Sequence, residues 1–171
     1  MQKMKGKNQK PMIAVSKPTY NMKKLILLLF IPLVSFGQVN SYNDLQKINS
    51  LEQFKRIAIE NGYEKSKYQN DVNIVEYYLN PSFNDKELTN ADGAAFYYVD
   101  NKDFRFVFKE NFLGVNIEYD DIYDSVKKDC RFFDIIPRKN LEFATYSCVL
   151  KGKLGFVEEE GFRYIHYFAE R

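Results

Sequence analysis

Phe104-Arg105-Phe106-Val107-Phe108 puts an aromatic ring at every second position, and that spacing limits the fold more than any other feature of the chain. A period of two lines the rings up on one side of an extended strand, whereas a helix would scatter them around its axis. The alternation returns at an offset of 58 residues in Phe162-Arg163-Tyr164-Ile165-His166, and Val99 matches Val157 at the same offset. Asn73 to Asn80 likewise resembles Asn140 to Cys148 in order and character. The sequence therefore predicts an α+β fold, an antiparallel sheet with two helices packed on one face. Its expected plan is an internal duplication, two pseudo-symmetric helix-plus-strands units about an approximate twofold. The plainer alternative is that any two aromatic hairpins look alike.

Ser50-Leu51-Glu52-Gln53 has the form of a capping box, and Leu51, Phe54, Ile57 and Ala58 then recur on one helical face. A helix is expected over 51–61, stopped at Asn61-Gly62 and preceded by a turn of helix over 43–48. Strand-like runs follow at 63–68, 73–80 and 94–100, the last turning at Asn101-Lys102 into 103–109. Across that turn Val99 would face Phe104, Tyr97 would face Phe106, and Ala95 would face Phe108. Acids at Asp120-Asp121 suit the start of a second helix. Strands are then expected at 131–137, 141–149, 154–158 and 162–168, with Glu159-Glu160-Gly161 as the last turn. The segment 80–93 is a long connection that is either functional or simply mobile.

Met22 to Gln38, MKKLILLLFIPLVSFGQ, has a positive start, a short apolar middle and small residues before the junction. This is the make-up of a bacterial-type signal peptide at 22–37. The apolar run is far short of the roughly 20 residues that cross a bilayer, so no stable membrane span is expected after cleavage. No cysteine stands at the junction to take a lipid. Residues 1–21 read as an over-long start or a disordered basic segment, and 38–171 as a single exported domain, periplasmic or extracellular. The 25 basic residues less the seven that precede residue 38 leave 18 against 23 acids, a net charge near minus five. Without a basic stripe to neutralise phosphates, nucleic acid is a poor partner.

Export places Cys130 and Cys148 in an oxidising compartment, and a hairpin folded about Lys139 sets them opposite one another, so a structural disulfide is expected. Buried free thiols or a redox-active pair are the alternatives, though the separation is nothing like C-x-x-C. The lone histidine, His166, has no nucleophile elbow beside it and reads as a packed or edge residue. Asp120, Asp121 and Asp124 lack the spacing of a calcium loop and read as helix capping. Glu158, Glu159 and Glu160 read as a solvated hairpin tip. Gly93, Gly114, Gly152 and Gly155 form no phosphate-binding cluster. No catalytic residue, metal site or cofactor is assigned.

If Phe104, Phe106, Phe108, Phe162 and Tyr164 face the helices, alternation turns Phe96, Tyr98, Arg105, Val107, Arg163, Ile165 and Tyr167 to the other side. Tyrosine and arginine beside aliphatics is the composition of interface centres. Those seven residues are the candidate partner-binding face, with a small second core as the plainer reading. In architecture alone, two tandem helix-plus-antiparallel-sheet units resemble the exported β-lactamase inhibitor proteins, which bind other proteins on a concave sheet. No motif carries that likeness, and a fold does not fix a function. The leading expectation is a non-enzymatic module binding a protein or cell-envelope component through this face, a homodimer being another use for it. The alternative is a small-ligand binder or hydrolase with a pocket between loop 80–93 and the sheet.

Overall fold

A computed structural model describes residues 39, 41–68, 71–85, 87–148 and 152–170. The leader at 22–37 and the segment 1–21 lie outside the described residues. Among the described residues the chain forms three helices, α1 (Tyr42–Lys47), α2 (Leu51–Glu60) and α3 (Ile117–Asp129). Ten strands accompany them: β1 (Glu64–Lys65), β2 (Ile74–Leu79), β3 (Ser82–Asn84), β4 (Glu87–Asn90), β5 (Gly93–Tyr98), β6 (Asp103–Lys109), β7 (Arg131–Arg138), β8 (Leu141–Ser147), β9 (Gly152–Glu159) and β10 (Phe162–Ala169). Eight of them make one antiparallel sheet in the order β1-β2-β5-β6-β10-β9-β8-β7, while β3 and β4 pair apart from it. The α+β class is as the alternation predicts.

Local chemistry sets the helix ends. Ser50 accepts a hydrogen bond from the Gln53 amide at 3.3 Å, and the Gln53 side chain reaches back to accept from the Asn49 amide at 2.9 Å. At the other end of α2, Tyr63 N–H donates to Ala58 and Gly62 N–H to Ile59, with Gly62 at a φ of 78°. This paired closure needs a left-handed residue, which glycine supplies at least cost. α3 begins three residues before the acids at Asp120-Asp121, because Asn116 accepts from the Tyr119 amide at 2.9 Å and is the true cap.

Packing gathers around the aromatic strand. Phe54 of α2 meets Tyr77, Tyr97, Phe104 and Phe106, while Tyr119 of α3 meets Phe108 and Phe156. Phe54, Phe106 and Phe108 are wholly buried. Rings of this size contribute about 2–3 kcal/mol each by leaving water.

Register departs from expectation in two places. Tyr97 pairs with Phe104 and Ala95 with Phe106, two residues from the expected alignment. The cause is a four-residue turn over 99–102, in which Lys102 takes a φ of 59°. A shift of two keeps every side chain on its face, so the apolar stripe survives. The second departure is larger in effect. β10 pairs Arg163 with Phe108, Ile165 with Phe106 and Tyr167 with Phe104, so these three share the face of the buried rings. Phe162 and Tyr164, expected under the helices, point the other way. The even offset of 58 ignores the odd register of this central pair, and one residue of slip exchanges the faces.

Cys130 and Cys148 are joined in a disulfide. Two displacements that cancel bring them together. The β7–β8 turn is Lys139-Asn140, one residue longer than a fold about Lys139, and a bulge between Phe132 and Asp134 takes up the extra residue on the β7 side. Arg131 then faces Ser147, and the next pair outward is the two cysteines.

Candidate functional site

The face of β6 that carries Arg105 and Val107 is the other side from its buried phenylalanines. Cross-strand pairing extends it into two rows. Glu76, Phe96, Arg105, His166, Gly155 and Thr145 form one, and Tyr78, Ala94, Val107, Tyr164 and Val157 the next. Of the seven residues expected on one face, the structure brings together Phe96, Tyr98, Arg105 and Val107. Arg163, Ile165 and Tyr167 belong to the opposite face. Ile165 is wholly buried, and Tyr167 stacks on Phe104 at 4.7 Å.

Arg163 goes inward because carboxylates go with it. Its guanidinium pairs with Glu110 at 3.0 Å, with Asp120, and with Glu158 at 3.2 Å, and it donates to the Gly114 carbonyl at 2.8 Å. Those contacts tie the loop before α3 to the end of β9. They also give Asp120 and Glu158 a use beyond capping and a solvated tip.

A small second core does form on the Arg105 face. β8 pairs with β9 only over Ala144–Ser147, and Phe143 beyond that point is wholly buried against His166 and Phe168. Gly155 makes this approach possible, since a Cβ there would lie 2.8 Å from both Phe143 and Phe168. The β7–β8 turn reaches far enough across for Arg138 to meet Asp103 of β6 at 3.3 Å. Asp103 also accepts from Asn101 and from the Ala169 amide, and its Oδ2 lies 3.6 Å from His166 Nε2.

His166 is fully buried, and burial lowers its pKa below the ordinary imidazole value, with Asp103 opposing that shift and Arg105 and Arg138 adding to it. The imidazole is therefore neutral at pH 7. Its Nδ1 accepts a hydrogen bond from Arg105 Nε at 3.1 Å, which leaves the ring proton on Nε2, toward Asp103.

Arg105 borders two hollows. The first, of about 510 Å³, lies between Leu88–Ala91 of the β3–β4 hairpin and a sheet surface made by Tyr78, Ala94, Phe96, Val107, Phe162 and Tyr164. Among the described residues Arg105 is the only charged one lining it. Burial, then the Glu76 carboxylate that accepts from its hydroxyl at 3.0 Å, pushes the Tyr78 pKa up to about 12. Burial also raises Tyr164. Both phenols are neutral donors at physiological pH. The second hollow, of about 450 Å³, is polar, with Asp71, Asp100, Arg138 and Lys139 around Tyr98 and Arg105.

Among the described residues the lining of the first hollow offers no carboxylate, cysteine or histidine, and no group of three or more metal-ligating side chains occurs. Sequence reasoning missed Tyr78, Tyr164 and the hairpin at 82–90. Turn-forming Asn84-Asp85 between short runs was the available signal for the hairpin. No helix among the described residues is long and apolar enough to cross a membrane. No protein-family model, no curated protein and no solved structure matches this chain.

Proposed function

We propose that this is an exported, non-enzymatic binding protein whose site is the hollow between the β3–β4 hairpin and the Arg105 face of the sheet. The observation that carries this reading is a recess of about 510 Å³ with apolar and tyrosine walls and one cation. That volume is in the range of ligand sites, which combine an apolar lining with a few converging polar groups. The segment 80–93 thereby has a role, since β4 supplies one side of the recess. In this reading the helices cover only the face of Phe104, Phe106 and Phe108, leaving the other free for a ligand. The disulfide supports export, because such bonds persist in oxidising compartments.

A small molecule suits the recess better than a broad protein surface. Phe96, Tyr98 and Val107 are only partly exposed, and Leu88–Ala91 stands beside them. The test is to purify the protein from its own cell envelope and extract bound small molecules for mass spectrometry, beside an Ala94→Trp variant that fills the recess. We expect a ligand from the native protein and none from the folded variant. Equal yields from both would reject this site.

A further inference from the structure

Two arginines of this domain are equally buried, each 9 % exposed, and their surroundings are opposite. Arg163 meets three carboxylates. Arg105 takes part in none of the ion pairs among the described residues. Its one side-chain hydrogen bond runs from Nε to a neutral imidazole, and its carbon end lies 5.4 Å from the centre of the Phe143 ring. Neither contact cancels its charge. The two terminal nitrogens, which carry four of the five guanidinium N–H donors, make no hydrogen bond to any of the described residues. Among the described residues the fully buried side-chain polar atoms without a partner are Tyr63 Oη and His166 Nε2, so these nitrogens open onto the hollows.

Among the described residues no nearby acid forms an ion pair with Arg105, Asp71 and Asp100 of the polar hollow included. Asp103 is held by Arg138, Asn101 and the Ala169 amide. Glu76 accepts from Tyr78, and Phe96 stands between it and Arg105 in the cross-strand row. Two strand spacings put their backbones about 10 Å apart. Burying a guanidinium without a counter-ion is costly, and the position makes sense when the counter-ion comes from outside.

We infer that Arg105 is the anion-recognition residue of the recess, and that the ligand is an amphiphile with one carboxylate on an apolar body. This rests on the recess being the binding site. A single cation matches a single negative charge, while Val107, Ala94, Phe96 and Leu88 suit a hydrocarbon or aromatic body. His166 acts as a positioning residue, because accepting the Nε–H turns the bidentate edge of the guanidinium toward the opening.

The test is calorimetric titration of the full protein with decanoate and with decan-1-ol, the same chain without charge. Native protein should bind decanoate at least about 10-fold more tightly than decan-1-ol. Arg105→Gln should weaken decanoate by about 10- to 100-fold, the range for one charge-assisted bidentate contact, and leave decan-1-ol within about twofold. If Arg105→Gln does not fold, Val107→Glu gives Arg105 an internal carboxylate and should abolish decanoate binding. Equal affinity for the two chains, or decanoate binding unmoved by either variant, overturns the anion assignment while the recess stands. No binding of either chain overturns the recess and the assignment together.

Discussion

Arg105 and Arg163 should respond in opposite ways when the charge is removed. Arg163→Met would leave Glu110, Asp120 and Glu158 facing one another without a cation, and we expect a loss of about 2–3 kcal/mol, discounted for the exposure of two of the acids. Arg105→Met removes a buried charge that no carboxylate neutralises, so stability should stay within about 0.5 kcal/mol or rise. Urea denaturation of both variants settles the contrast. A large loss on Arg105→Met would mean that the fold leans on this cation. His166 gives a pH signature. Its folded pKa lies below the unfolded 6.5, so the unfolded chain takes up the proton first. The stabilising contribution is complete above pH 6.5 and is lost as pH falls from there toward the lower folded value. Between pH 7.5 and 5 the melting temperature of the native protein should therefore drop further than that of His166→Gln. Asp103, Arg105 and Arg138 are the charged groups that act on the ring, and both proteins retain them.

Among the elements of the main sheet, existence was legible in the sequence and alignment was not. Alternation located the eight sheet strands, because a half-buried strand must show its period of two. Nothing in that period records how many residues a turn holds. The 99–102 turn moved the β5–β6 hairpin by two, which cost nothing, and the odd register between the sheet neighbours β6 and β10 amounts to a slip of one, which exchanged Arg163, Ile165 and Tyr167 for Phe162 and Tyr164. Alternation counted from the wrong register put Arg163 outward, and nothing in that period records that Glu110, Asp120 and Glu158 receive it on the other face. Of the recess, Phe96, Arg105 and Val107 could be read in advance, while Tyr78 and Tyr164 could not. Two measurements belong at this scale. Gly155→Val should cost about 2–3 kcal/mol by forcing Phe143 and Phe168 apart, and a loss under about 0.5 kcal/mol would show that the crossing has slack. Cys130→Ser with Cys148→Ser opens a closure of 18 residues and should lower stability by about 3 kcal/mol, roughly 10 °C in melting temperature.

For the whole molecule, the expected life history is export, cleavage and oxidation. Mass spectrometry of the protein released from its own cells should find an N-terminus at Gln38 and no free thiol. An uncut chain with two thiols in the cytoplasm would sink the proposed setting of the site. One further consequence comes from the bulge in β7. Phe133 is the residue with no counterpart on β8, so the hairpin tolerates shortening on one side only. Excising Phe133 evens the two arms and leaves the sulfurs in reach, whereas excising Tyr146 draws Cys148 back a place and turns it to the wrong face. Thiol titration of the two single-residue deletions should find none in the first and two in the second.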